Sequence, residues 1–173
     1  MKKLKHCHIN LRVILIIIII GIAPASYPQK SNWTKFESEQ AKAEISFPSS
    51  FSESTEKKEN VTTYKIMSEL NDNVFFFSYS LHSIELNDEY KLAQVSLESF
   101  ANGVNGKIIN QKEYKVKNGK GIESQIEMQD GSMIATYIVI IKNQIQYQVV
   151  AATSKEKAYL KISKKFIKSF KLK

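Results

Sequence analysis

The 173-residue chain carries a formal net charge of +8, and 24% of its residues are charged. Four of its 25 basic residues precede Val13, which leaves 21 lysines against 17 acidic residues and a charge of +4 in the remainder. Arg12 is the only arginine. Because arginine is the usual reader of phosphate and guanine, we do not expect a nucleic-acid partner. The one cysteine, Cys7, lies before the apolar segment, so the rest of the chain has no disulfide, thiolate metal site or cysteine nucleophile.

Residues 1–25 have the pattern of a secretory signal peptide. Basic residues precede an apolar run from Val13 to Ala23, and Ala23-Pro24-Ala25 places small residues before a cleavage site at Ser26. The run is shorter than the about 20 apolar residues of a membrane span. We predict export to the periplasm or the medium, with cleavage near Ala25. An uncleaved signal anchor is the alternative.

The remaining chain is predicted to form one domain. Residues 26–31 are expected to be a flexible leader, and residues 32–173 a single domain. We expect a monomer whose contact with the membrane is transient and made through the signal peptide alone.

The first half of this domain is predicted to be mostly extended. Apolar and polar residues alternate over 43–47 until a proline ends the strand. The polar stretch 49–60 is predicted to be a loop. Two longer alternating segments, 61–70 and 74–84, flank the turn-forming cluster Asn71-Asp72-Asn73 and are expected to pair as a hairpin.

A helix and four strands follow. Asn87-Asp88 is a typical N-cap, and apolar residues recur at helical spacing as far as Asn102. The strand-like segments beyond it are 108–117, 120–129, 132–141 and 144–152, joined by turns at Asn118-Gly119, Asp130-Gly131 and Lys142-Asn143. Asn-Gly and Asp-Gly favour type I′ turns because both central residues need positive φ. The sequence therefore predicts a C-terminal β-meander.

The last part of the chain carries three further signals. Apolar side chains occupy both faces of 133–141, which is typical of a strand covered on both sides. Glutamines at alternate positions line one face of 144–152, so this strand is predicted to be half exposed. Thr153 and Glu156 match a capping box, which predicts that the last helix begins there.

Together these elements predict an α+β fold with a mostly antiparallel sheet of about seven strands and helices on both faces. The element order and several short motifs resemble the PsbP-like superfamily of α/β/α sandwich proteins, especially its exported bacterial members. The matching residues are Trp33 and Phe36, Phe47-Pro48, Gly119 and Gly121, and Ser169-Phe170-Lys171. The resemblance implies a non-enzymatic accessory or binding protein without a cofactor, and it supplies no catalytic motif.

His82 is the first candidate for chemistry. It is the only histidine after residue 25, and Ser78 and Ser80 share its strand face. A Ser-His pair would suit a small hydrolase or lyase, which is the alternative function. The sequence has no G-x-S-x-G elbow, however, so an ordinary strand histidine is the preferred interpretation and we predict no enzymatic activity.

Lysines on the last helix are the second candidate. With His82, they are the residues expected to contact an unknown protein or an anionic envelope partner. They are Lys157, Lys161, Lys164, Lys165 and Lys168. A solvated helix face explains the same pattern.

Two sets of oxygen ligands are weaker candidates. Glu123 and Glu127 share a strand face and offer a carboxylate pair, but the solvated side of a strand accounts for them equally. Asn71-Asp72-Asn73 is followed by apolar residues where an EF-hand loop requires ligands. We predict no metal site.

Overall fold

The computed structural model describes residues 32–117 and 119–173; the predicted signal peptide and leader lie outside these residues. The main element is an antiparallel sheet of seven strands in the order β3-β4-β5-β9-β8-β7-β6. Its strands are β3 (Ser52–Lys58), β4 (Val61–Leu70), β5 (Asn73–His82), β6 (Lys107–Val116), β7 (Gly119–Met128), β8 (Met133–Lys142) and β9 (Ile145–Ser154).

A second, three-stranded sheet joins the two ends of the described chain. Strand β2 (Ala43–Phe47) lies between β1 (Thr34–Ser38) and β10 (Lys171–Leu172), and both neighbours are antiparallel to it. The strand at 43–47 was predicted, but β1 and β10 were not. Both are short strands, and pairing with β2 rather than any alternation of their own defines them.

Two helices cover opposite faces of the main sheet. Helix α1 (Glu89–Gly103) packs against β6, β7 and β8, and helix α2 (Lys157–Ser169) packs against β9, β5 and β2. The Asp88 carboxylate accepts a hydrogen bond from the Lys91 amide at 3.2 Å, which confirms the predicted N-cap of α1. The chain therefore has the predicted α+β fold, with a helix on each face.

The helices create two hydrophobic cores. On the α2 side, aromatic residues of β2, β5 and α2 cluster, including Phe47, Phe75 and Phe166. On the α1 side, Tyr137 stacks against Phe100 with ring centroids 4.6 Å apart. Strand β8 contributes to both cores, which confirms the prediction that it is buried on both faces.

Residues 49–60 were predicted to be a loop, and this is wrong. Ser52–Lys58 forms β3, which pairs with β4 along its length at one end of the sheet. All seven of its residues are exposed. An edge strand with water on both faces shows no apolar alternation, so its sequence looks like that of a loop.

The strand at 144–152 is covered more fully than its glutamine pattern predicted. It is β9, the central strand of the seven. Gln146 and Gln148 are half-buried, and the Gln146 amide donates a hydrogen bond of 3.0 Å to Ser96 Oγ on α1. A satisfied amide can occupy a covered face, which a polarity pattern alone cannot reveal.

The capping box at Thr153 is also wrong. Strand β9 continues to Ser154, and Thr153 pairs with Ile134 and is fully buried. Helix α2 begins later, at Lys157, after Glu156, whose side chain makes no capping bond. Pairing with β8 holds Thr153 in the strand, four residues before the helix begins, so its side chain cannot cap α2.

Two turns of the meander differ from their predicted positions. Lys142 pairs with Ile145, so the third turn is Asn143-Gln144, with φ of 52° and 62°. Met128 pairs with Met133, so the second connection has four residues, 129–132, rather than a two-residue turn. Val116 pairs with Gly119, and the first predicted turn, Asn118-Gly119, includes residue 118, which lies outside the described residues.

Candidate binding groove

A groove lies between helix α2 and the part of the sheet that the helix does not cover. Its cavity volume is about 520 Å³, within the range of small-ligand and peptide sites. Strands β6, β7 and β8 form the floor, and two turns of α2 form one wall. The lining residues are Lys112, Tyr114, Glu123, Gln125, Thr136, Leu160, Ser163, Lys164, Ile167 and Lys168.

The groove exists because the two faces of the sheet are covered differently. Helix α1 spans β6, β7 and β8 on its face, but α2 lies over β9 and β5 on the other. The alternating side chains of β6 and β7 on the α2 side therefore lack a helix above them. Tyr114 partly fills this space and packs against the edge of the aromatic core.

Lysine dominates the charge of the groove. Lys112, Lys164 and Lys168 line it, with Glu123 as the one acidic residue. Lys112 Nζ lies 2.9 Å from a Glu123 carboxylate oxygen. Neither Lys164 nor Lys168 is paired with a carboxylate in the part of the chain that the structure describes. The helix wall thus presents two cations available to an anionic group.

Hydroxyl groups and apolar side chains complete the lining. Tyr114, Thr136 and Ser163 supply hydroxyls, and Leu160 and Ile167 supply apolar surface. Leu160 is 41% exposed, a high value for a large apolar side chain on a packed helix. Burial, followed by the charge of the neighbouring glutamate, raises the pKa of the Tyr114 hydroxyl, so it stays a neutral donor and acceptor.

The five candidate lysines of α2 fall into three groups. Lys164 and Lys168 line the groove. Lys165 Nζ lies 4.1 Å from the centroid of the Trp33 ring, a cation–π contact that ties the start of the domain to α2. Lys157 and Lys161 are exposed and do not line the groove.

His82 lies far from this groove in the fold. It ends β5 on the opposite, α1 side of the sheet and pairs with Val61. Its Nε2 atom is buried without a hydrogen-bond partner among the described residues. The Ser80 hydroxyl instead lies 2.8 Å from Thr63 Oγ1, so no Ser-His pair is formed.

The two carboxylates weighed as a candidate pair are separated along β7. Glu123 and Glu127 are four residues apart, about 13 Å at strand spacing, which exceeds the separation in glycosidases. Glu127 lies 2.7 Å from Lys155, which lowers the pKa of its carboxyl. Each glutamate therefore has a lysine partner, and Glu123 belongs to the groove through its contact with Lys112.

The sequence pattern indicated the helix wall of the groove but not most of its floor. The lysine pattern identified Lys164 and Lys168, whereas Lys112, Tyr114 and Thr136 were not singled out. The register that places Lys112 opposite Glu123 was a usable signal, because opposite charges favour cross-strand pairing. No sequence signal indicates how far α2 extends over the sheet.

Neither known family models nor curated proteins match this chain in sequence. Its structure is similar to the solution structure of cyanobacterial PsbP (CyanoP) from Synechocystis sp. PCC 6803, with a TM-score of 0.59 and 8% identity over 89% of this chain and 99% of that one. A protein from Bacteroides thetaiotaomicron VPI-5482 gives a TM-score of 0.43 and 14% identity over 84% of this chain and 49% of that one. The chain thus has a PsbP-like fold, and the first similarity concerns that fold alone.

Among the described residues, no helix is both long and apolar enough to cross a bilayer. The same residues contain no group of three or more histidine, cysteine, aspartate or glutamate side chains placed to hold a metal ion.

Proposed function

We propose that this chain is an exported, non-enzymatic binding protein that holds an anionic partner in the groove beside α2. One observation carries the proposal: Lys164 and Lys168 line a groove of about 520 Å³ and lack carboxylate partners among the described residues. Both lysines are exposed, so their charges are accessible to a ligand that enters the groove. An anionic ligand there would accept charge-assisted hydrogen bonds from the two ammonium groups.

A catalytic role receives less support. The Ser80 hydroxyl is bonded to Thr63 rather than to His82, and Glu123 and Glu127 are each bound by a lysine. A general acid would need a raised carboxyl pKa, whereas the lysine beside Glu127 lowers it. Binding without chemistry is therefore the function that these residues favour.

The experiment is a titration of labelled acidic peptide, measured by fluorescence anisotropy. A glutamate-rich octapeptide should bind the wild-type domain, and added salt should weaken binding because exposed charges are screened. The Lys164→Gln/Lys168→Gln double variant should bind about fivefold to tenfold more weakly, which corresponds to the loss of two partly exposed ion pairs.

A matched control separates the groove from the general charge of the helix. Lys157→Gln/Lys161→Gln removes the same charge from the same helix outside the groove, and its affinity should equal that of the wild type. Equal losses in the two double variants would contradict the groove. Binding to anionic lipid vesicles would be measured for the same two variants. If both variants weaken vesicle binding equally, the partner is a membrane surface, and the groove proposal is wrong.

Export is tested separately. The full chain, expressed in a bacterium with a periplasm, should yield a mature protein outside the cytoplasm that begins at Ser26. N-terminal sequencing of the exported product measures this. A full-length product held in the membrane fraction would support the signal anchor instead.

A further inference from the structure

We infer that the groove recognises an extended peptide whose carboxylates lie on alternate residues. This inference rests on the proposed function and names its partner. The lining residues of α2 run from Leu160 to Lys168, about 12 Å at the rise of an α-helix. The wall of the groove is thus long enough to contact several residues of an extended peptide.

The spacing of the two free lysines matches the repeat of an extended peptide. Lys164 and Lys168 lie on one face of α2, and four residues of helix separate them by about 6 Å along the axis. Alternate side chains of an extended chain lie on one side at about 6.6 Å. Two carboxylates at positions i and i+2 can therefore meet the two ammonium groups without bending the peptide.

Glu123 directs those carboxylates toward the helix. It lies on the floor of the groove, and its charge repels an acidic side chain that points down to β7. The nearest cation on the floor, Lys112, is already paired with it at 2.9 Å. Among the lysines that line the groove, only Lys164 and Lys168 on α2 are therefore available to the peptide carboxylates.

The residue between the two carboxylates points the other way. Side chains of an extended chain alternate in direction, so this residue faces the β6 side of the groove. Tyr114, half-buried and with a neutral hydroxyl, lies on that side. The recognised segment is therefore acidic–X–acidic, with an X that can pack on an aromatic ring.

The test compares three capped octapeptides of one composition, each with two glutamates. The glutamates stand on adjacent residues, on alternate residues or four residues apart. The wild-type domain should bind the alternate peptide about threefold more tightly than either other peptide, a ratio typical of one additional exposed ion pair. Anisotropy titrations at one salt concentration give the three Kd values.

Two variants distinguish the spacing rule from the groove itself. Lys164→Gln/Lys168→Gln should weaken all three peptides and abolish the preference. Glu123→Gln should tighten all three and reduce the preference, because carboxylates could then also bind Lys112. If the wild type binds the three peptides equally and the double variant binds them all more weakly, the spacing rule is wrong but the groove still binds anions. If the double variant binds the peptides as tightly as the wild type, the groove is not an anion site.

Discussion

The Tyr147 hydroxyl donates a hydrogen bond of 2.9 Å to the backbone carbonyl of Ala41. Tyr147 lies on β9, the central strand of the main sheet, and Ala41 is fully buried in the connection between β1 and β2. This bond joins the two sheets across the aromatic core. Burial raises the pKa of Tyr147 to about 12.

Tyr147→Phe should therefore destabilise the domain. The substitution keeps the ring but leaves the Ala41 carbonyl buried without its donor, which costs about 1–3 kcal/mol. Urea denaturation of the two proteins measures the difference in the free energy of unfolding. An unchanged midpoint would show that the bond between the sheets contributes nothing to stability.

Tyr137, unlike Tyr147, has a buried hydroxyl that makes no hydrogen bond to the described residues. Its ring stacks on Phe100 at 4.6 Å. Tyr137→Phe keeps the stacking and removes an unsatisfied polar group, so we expect the domain to become more stable by about 1 kcal/mol. The same urea experiment checks this. A loss of stability would indicate a partner for the hydroxyl.

Gly121 lies where two strands approach closely. A Cβ atom at this position would stand 2.5 Å from the Val139 carbonyl oxygen on β8. Because that contact is with backbone, the strands must separate to accommodate a methyl group. Gly121→Ala should therefore lower the free energy of unfolding by about 1–3 kcal/mol.

Gly103→Ala is the matched control for this substitution. A Cβ atom at Gly103 meets nothing within 4 Å. This variant should range from unchanged to about 1 kcal/mol more stable, since alanine restricts the unfolded chain. The melting temperature should therefore fall for Gly121→Ala and not for Gly103→Ala, and a similar decrease in both would argue against the contact at β8.

Glu44 links all three strands of the small sheet. Its carboxylate lies 2.8 Å from Lys35 on β1 and 2.9 Å from Lys171 on β10. These lysines lower the pKa of Glu44 to about 2, from 4.5. Glu37, which pairs with Lys35 and Lys173, has a lowered pKa for the same reason.

The ion pairs of Glu44 should therefore contribute to the free energy of unfolding above pH 4.5. This contribution should be lost as the pH falls toward 2 and the carboxylate is protonated. Glu44→Gln should be less stable than the wild type at neutral pH, and the difference should shrink across this window. Denaturation midpoints recorded at several pH values measure it. Glu53→Gln is the matched control, because Glu53 lies on exposed β3 and has no lysine partner in the described part of the chain.

Much of the local structure could be predicted from the sequence because short-range chemistry determines it. Alternation predicted β4 within its observed bounds, and Asp88 marked the start of α1. The apolar faces of β8 predicted its burial between two cores. The lysine pattern of α2 likewise included the two lysines of the groove wall.

Pairing between strands determined the elements that the sequence pattern did not predict. Backbone hydrogen bonds between strands depend little on side-chain identity, so β3 forms from a wholly polar segment and β1 and β10 from the two ends of the described chain. The same pairing holds Thr153 in β9 and delays α2 until Lys157.

The sequence by itself therefore determined the types of most elements, the mildly basic charge and the lysines of α2. The tertiary structure decided the central position of β9, the three-stranded sheet and the groove. The groove depends on where α2 stops covering the sheet, and the packing of Phe166 on Phe47 and Phe75 holds the helix there.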